Sequence, residues 1–134
     1  MSACVLDTDV VIAALDRGDV HHLAAAEAIS SMIEDRVELR TSTINYAEAL
    51  VRPAEDEDTL RAAVDAIATL GVRVVAPTGA IARDAARYRA RGVSLADGFA
   101  LATARAGAAT VASFDRRVRR AMSELGLELA APLA

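Results

Sequence analysis

Residues 3–15 read ACVLDTDVVIAAL, and this stretch decides the predicted fold. The run Ala3–Leu6 is apolar and short enough for a buried strand, whereas 10–15 is typical of a helix. The polar residues 7–9, with the sequence DTD, mark the turn from strand to helix. A fully apolar strand of this kind is typical of a parallel sheet that is covered by helices on both faces.

The same alternation of strand and helix continues along the chain. Further strands are predicted at 37–41, 72–76, 109–114 and 127–130, and apolar residues recur at helical spacing between them. Strands that alternate with helices through short loops predict a three-layer α/β/α sandwich with a mainly parallel central sheet. Since 134 residues suit one compact core, we expect a single domain over 1–134.

Composition and charge exclude several classes of protein. A net charge of -4 argues against a protein that coats nucleic acid indiscriminately. All fifteen basic residues are Arg, so no mechanism that depends on Lys is available. The single Cys4 lies in an apolar run, which predicts a buried, reduced thiol and a cytoplasmic protein. The start of the chain lacks a basic leader, and no apolar stretch reaches the roughly eighteen residues of a membrane span.

Four acidic residues, Asp7, Glu48, Asp97 and Asp115, each stand at a strand-to-helix junction or in the first turns of a helix. Because such junctions gather along the carboxyl edge of a parallel sheet, these side chains are expected to converge there. Carboxylates without His or Cys partners select Mg²⁺ or Mn²⁺ rather than zinc. Capping of helix N-termini is the alternative reading of each acid, and Ser94 with Asp97 has the spacing of a capping box. The whole set exceeds what capping requires.

Four motifs occur in order along the chain: VLDTDVVIAAL at 5–15, TSTINYAEAL at 41–50, SLADGFALATA at 94–104 and TVASFDRR at 110–117. Together they resemble the PIN-domain ribonucleases and, within them, the VapC-like toxins of bacterial toxin–antitoxin pairs. The resemblance spans nearly the whole chain.

The resemblance implies a metal site and a reaction. The quartet Asp7, Glu48, Asp97 and Asp115 would hold one or two Mg²⁺ or Mn²⁺ ions, with Asp9 as a further candidate ligand. Asp7 and Asp97 are the best candidates for direct ligands, while Glu48 and Asp115 would either ligate or orient water. The implied activity is hydrolysis of RNA phosphodiesters with water as the nucleophile.

The resemblance also implies partners. It predicts RNA as the substrate, a cognate antitoxin protein that binds across the early helices, and a homodimer that assembles into a larger toxin–antitoxin complex. A cluster of carboxylates would attract a basic side chain of the antitoxin when metal is absent.

Other polar residues near the motifs have candidate supporting roles. Thr8, Thr43 and Ser113 would support the acids, with local turn and cap bonding as the alternative. Arg116 and Arg117 follow Asp115 directly and would clamp substrate phosphates, with a solvated helix face as the alternative.

Histidine and aromatic residues give little support for a metal site or for stacking of nucleobases. His21 and His22 are adjacent, which is poor geometry for joint metal ligation, and both are assigned to a loop. Aromatic residues make up only 3% of the chain, so platforms for stacking of nucleobases are poorly supplied.

Other functions compete with the nuclease. A haloacid-dehalogenase-like phosphatase also has Asp-x-Asp after its first strand, but here Asp9 is followed by Val-Val and no Lys is present. A receiver domain of a signalling pair is a further alternative, but it requires a Lys, and this chain has none. A non-catalytic α/β interaction domain would keep the fold while its acids only cap helices.

Overall fold

The structure, a computed structural model, describes residues 2–134. Within these residues four strands form one parallel sheet in the order β3-β2-β1-β4. The strands are β1 (Ala3–Leu6), β2 (Glu38–Ser42), β3 (Arg73–Val75) and β4 (Thr110–Ala112). The first strand therefore has a strand on each side, a position that suits its fully apolar sequence.

Seven α-helices connect and cover the strands in residues 2–134. They are α1 (Thr8–Leu15), α2 (His22–Glu34), α3 (Thr43–Ala49), α4 (Glu57–Thr69), α5 (Gly79–Tyr88), α6 (Leu95–Ala106) and α7 (Arg116–Leu125). None of the helices described there is long and apolar enough to cross a membrane.

The two faces of the sheet bury separate cores because successive side chains of a strand point to opposite faces. On β1, Ala3 and Val5 pack against α5, α6 and α7, whereas Cys4 and Leu6 pack against the helices α1 to α4. This arrangement confirms the predicted three-layer α/β/α fold.

The predicted fifth strand at 127–130 is reduced to an isolated parallel bridge between Val111 and Leu129. Two backbone hydrogen bonds connect it to the sheet, from Val111 N to Glu128 O at 2.9 Å and from Ala130 N to Val111 O at 2.8 Å. The chain then turns into a 3-10 helix at Ala131–Leu133 that contains a proline. Since proline has no N–H to donate, the ladder ends there.

The close packing of α5 against α6 depends on a glycine. A Cβ atom added at Gly98 in α6 would lie 2.7 Å from the carbonyl oxygen of Ala85 in α5. Because this contact is with backbone, it cannot be relieved by rotating a side chain. The glycine therefore sets how near α6 lies to α5, and α6 carries Asp97.

We expect Gly98→Ala to lower the free energy of unfolding by about 1–3 kcal/mol, the usual range for overpacking. Gly79→Ala is the matched control, since its added Cβ would meet only the side-chain Nη1 of Arg83, at 3.4 Å. Chemical denaturation of both variants checks this. Equal stability of the two would contradict the proposed role of Gly98.

Candidate active site

The centre of the candidate site is Asp7, which directly follows β1 and is only 1% exposed. Its Oδ1 accepts a hydrogen bond from the backbone N–H of Thr8 at 2.9 Å. Its Oδ2 accepts one from the hydroxyl of Ser113 at 2.8 Å. Ser113 follows β4, so the neighbouring ends of β1 and β4 bring the two side chains together.

The charge of Asp7 has no basic partner in the described part of the chain. The four ion pairs in residues 2–134 involve Glu38, Asp84 and Glu124 instead. Burial raises the pKa of Asp7, and the nearby carboxylates of Asp9 and Asp97 raise it further. The site therefore gathers carboxyl groups that have no basic partner and that oppose one another's ionisation.

Asp9, the second residue of α1, is a half-buried acid close to Asp7. Its Oδ2 accepts a hydrogen bond from the backbone N–H of Phe114 at 2.9 Å. Its Oδ1 is buried and has no hydrogen-bond partner. Burial raises the pKa of Asp9, and the carboxylates of Asp115 and Asp97 add to the effect. An acid considered only as an additional candidate from sequence thus lies within the group.

Asp97 and Asp115 both cap helices and lie close enough to influence the buried acids. Asp97 forms a capping box with Ser94, whose N–H donates to Asp97 Oδ2 at 3.3 Å. Asp115 Oδ1 accepts hydrogen bonds from the first turn of α7, at 2.7 Å from Arg117 N and 3.3 Å from Val118 N. Capping and convergence at the sheet edge therefore occur together.

Glu48 lies at the surface of α3 and borders a cleft. Its side chain is exposed on α3, and it is not among the groups that shift the pKa of Asp7 or Asp9. It lines a cleft of about 610 Å³ together with residues of α1, α4 and the turn between α3 and α4. These include Ile12, Asp16, Arg52 and Ala63.

The donor set fits a hard divalent cation in its chemistry, although the side chains do not form a finished cage. Among residues 2–134, no three His, Cys, Asp or Glu side chains are grouped so that they could hold a metal ion. The buried carboxyl of Asp7, which has no basic partner, and the unpartnered Asp9 Oδ1 are nevertheless oxygen donors of the kind that Mg²⁺ and Mn²⁺ prefer.

Asn45, which was not predicted as a site residue, links the three helices α1, α3 and α6 that border the site. It is fully buried, and its Nδ2 donates to Thr8 Oγ1 at 2.9 Å and to the carbonyl of Ala96 at 3.1 Å. These bonds use both amide hydrogens, so the 3.5 Å contact with Asp7 Oδ1 is secondary. Asn45 thereby fixes the starts of α1 and α6 relative to α3. Its sequence signal was an Asn inside a helix, where it is unfavourable without a partner.

The predicted supporting residues divide into two groups. Ser113 bonds Asp7, and Thr8 accepts from Asn45, so both belong to the site. Thr43 lies elsewhere, because its hydroxyl donates to the carbonyl of Val75 at 3.2 Å. The cap of α3 comes from Ser42 instead.

The arginines after Asp115 differ in their exposure and contacts. Arg116 and Arg117 are exposed and form none of the ion pairs found in residues 2–134. Cations at a helix N-terminus oppose the helix dipole, so a role in stabilising α7 does not explain them. Arg119 has a local role, since its Nε donates to the carbonyl of Ser113 at 2.8 Å.

The assignment of both histidines to a loop was wrong for His22, which begins α2. Its Nδ1 lies 2.7 Å from the carbonyl oxygen of Ala13, and this bond holds α2 against α1. The ring of His21 instead stacks on Phe114. The two rings therefore have different partners.

The chain matches a known protein family and resembles several solved structures. The family model described as PIN domain matches residues 4–123. VapC20 of Mycobacterium tuberculosis, a toxin that cleaves the sarcin-ricin loop, aligns with a TM-score of 0.72 and 20% identity over 89% of this chain and 95% of that one. VapBC-1 from nontypeable Haemophilus influenzae aligns with a TM-score of 0.72 and 16% identity, covering 98% and 99%.

A third similar structure is FitAcB from Neisseria gonorrhoeae, with a TM-score of 0.69 and 22% identity over 97% of this chain and 98% of that one. A comparison with curated proteins found no significant match. At these identities the structural similarities establish the fold alone.

We expect Asp7→Asn to stabilise the protein in EDTA by about 1–3 kcal/mol at neutral pH, because it removes a buried carboxyl that must take up a proton, or stay charged without a partner, when the chain folds. The raised pKa means that the folded state binds the Asp7 proton more tightly than the unfolded state does. Wild-type stability is therefore lost as pH rises from the ordinary value of 3.8 towards about 8. Because Asn does not titrate, the variant should be no more stable than wild type below pH 3.8. Its gain in the free energy of unfolding should be complete above about pH 8.

Denaturation curves of both proteins across this pH range measure the effect. A destabilised Asp7→Asn at neutral pH would show that the Asp7 carboxyl stabilises the fold and would contradict this expectation.

Proposed function

Because this chain belongs to the PIN-domain family, we propose that it is a metal-dependent endoribonuclease and the toxin of a VapBC-type toxin–antitoxin pair. The observation that carries the proposal is the buried carboxylate of Asp7, which Ser113 and Thr8 hold in place beside Asp9 and Asp97. A fold does not retain such a buried acid for stability, since without a cation the carboxyl must either stay charged with no partner or take up a proton, and both cost free energy. A buried carboxyl whose ionisation is disfavoured in this way is consistent with a site that binds a cation.

Mg²⁺ or Mn²⁺ is the proposed cofactor. Asp7 and Asp97 are the proposed direct ligands, and the free Oδ1 of Asp9 makes it the next candidate. Glu48 and Asp115 would ligate or orient water from the rim of the site. When bound, the cation supplies a lowered pKa for water and neutralises charge on the phosphate.

The remaining residues position the ligands and the substrate. Ser113 and Thr8 direct hydrogen bonds at both oxygens of Asp7, which fixes the orientation of the carboxylate. Arg116 and Arg117 are proposed to bind the phosphates on either side of the scissile bond, where their charge offsets the acids.

The proposed reaction is hydrolysis. The oxygen of water forms a bond to phosphorus, the bond from phosphorus to the 3′ oxygen breaks, and that oxygen leaves with a proton. The products are a 5′-phosphate and a 3′-hydroxyl end.

A non-catalytic interaction domain is the second candidate. It is favoured by the caps that Asp97 and Asp115 form and by the absence of a finished three-ligand cluster among residues 2–134. Calorimetric titration separates the two functions, because only the nuclease should bind Mg²⁺ or Mn²⁺ through the acids.

The proposed partner is a cognate antitoxin, since two of the similar structures are described as VapBC complexes. The cleft beside Glu48 is its proposed docking place, because α1, α3 and α4 line it and the apolar side chain of Ile12 is 36% exposed there. A basic side chain of the antitoxin would reach from this cleft to the acids. The toxin itself is proposed to form a homodimer within the larger complex.

We expect Asp7→Asn and Asp97→Asn to remain folded and to lose about a hundredfold or more of the Mg²⁺- or Mn²⁺-dependent cleavage of RNA. Loss of even a supporting partner of a metal ligand costs roughly 10–100-fold. Asp56→Asn is the matched control, because Asp56 caps α4 and is not among the groups that shift the buried acids. Asn retains the cap, so this variant should cleave like wild type.

Cleavage and melting are measured on the same preparations, with EDTA and excess Mg²⁺ in parallel. Wild-type cleavage that persists in EDTA, or full activity of both site variants, would refute the metal-site assignment.

For the partner, we expect Ile12→Ser to weaken binding of the antitoxin by about tenfold or more, the loss typical of a buried apolar contact in an interface. Val51→Ser is the matched control, because Val51 is 64% exposed and does not line the cleft. Titration of toxin with the product of the neighbouring gene, read by light scattering and by inhibition of RNA cleavage, measures both variants. Equal affinity would place the antitoxin elsewhere.

A further inference from the structure

His21 and Phe114 form a stacked pair beside the acidic site. Their ring centroids lie 4.3 Å apart and the ring planes differ by 9°. Phe114 is half-buried against the core on the side of α1 and α2, while His21 is exposed. One face of the imidazole is thus covered by Phe114, which leaves the opposite face available to a planar ligand.

The pair is held in place by the backbone at both ends. The N–H of His21 donates to Asp19 Oδ1 at 2.8 Å, and its carbonyl accepts from Ala25 N at 2.9 Å. The N–H of Phe114 donates to Asp9 Oδ2 at 2.9 Å. Because little freedom remains to be lost on binding, the exposed ring face is preorganised for a ligand.

The position of the pair specifies what kind of ligand it suits. Phe114 lies between Ser113, which bonds Asp7, and Asp115, which caps α7. Exposed Arg116 and Arg117 follow at once. A ligand that spans these features carries both a planar group and a phosphate, and this combination describes a nucleotide.

We infer that His21, backed by Phe114, is a stacking platform for a nucleobase of single-stranded RNA next to the cleaved phosphate. The inference rests on the proposed ribonuclease function and adds a residue that selects unpaired over paired substrate. Bases in a duplex are already stacked on each other and are not free to cover the ring. His21 is a positioning residue, so it acts on substrate binding and not on the reacting atoms.

The test uses a short single-stranded RNA that carries 2-aminopurine, whose fluorescence is quenched by stacking, in EDTA so that no cleavage occurs. We expect wild type to quench the probe and His21→Ala to bind it roughly 5- to 150-fold more weakly, the range for loss of one base stack. His21→Phe should bind like wild type because it keeps a planar ring. Leu23→Ala is the matched control, since Leu23 lies two residues further on, in the first turn of α2, is 73% exposed and has no ring.

Cleavage in Mg²⁺ is followed in parallel for single-stranded and duplex substrates. His21→Ala should raise KM for the single strand with kcat nearly unchanged, while any cleavage of the duplex stays unaltered. Unchanged binding and KM in His21→Ala, no quenching by wild type, or equal losses in Leu23→Ala would overturn the inference. So would a loss in His21→Ala of antitoxin binding alone, which would make the platform a protein contact.

The two proposals fail separately. A wild-type protein that quenches the probe through His21 but never cleaves RNA contradicts the proposed nuclease and supports the platform. If wild type cleaves RNA and His21→Ala is fully active, only the proposed platform is contradicted.

Discussion

The buried carboxylate of Asp7 is the interaction around which the site is organised. Its position at the end of the central strand places it under the starts of α1 and α6 and next to the end of β4. Two hydrogen bonds hold it, but they do not neutralise its charge, and the nearby acids oppose its ionisation. The fold therefore keeps a locally unfavourable group that its apolar cores must offset. A bound cation would favour the ionised form of the Asp7 carboxyl and so offset this cost.

Structural and proposed functional roles coincide in the same side chains. Asp97 and Asp115 cap α6 and α7, and each cap uses one carboxylate oxygen. Capping orients these carboxylates relative to their helices, and the helices are fixed by packing. Gly98 sets the approach of α6 to α5, and Asn45 bonds the start of α6 to α3 and α1. Side chains remote from any reacting atom thus determine where the acids lie.

The scarcity of aromatic residues made a base platform improbable from composition, yet the structure contains one stacked pair at the site. Composition counts residues and cannot show where they meet. His21 lies before α2 and Phe114 after β4, far apart along the chain, and they meet because both segments border the carboxyl end of the sheet. A single well-placed ring is enough for one nucleobase.

The sequence by itself determined the alternation of strands and helices, the burial of Ala3–Leu6 between two layers of helices and the strand-end position of Asp7, because these follow from apolar periodicity and from local capping. It did not determine that 127–130 would form only one bridge, since the length of a ladder depends on what lies beside it. Nor did it reveal the fixed place of Asn45, the free oxygen of Asp9 or the bond that Thr43 makes to Val75. Those features are contacts between segments distant along the chain, and only the packing of helices on the sheet decides which of them form.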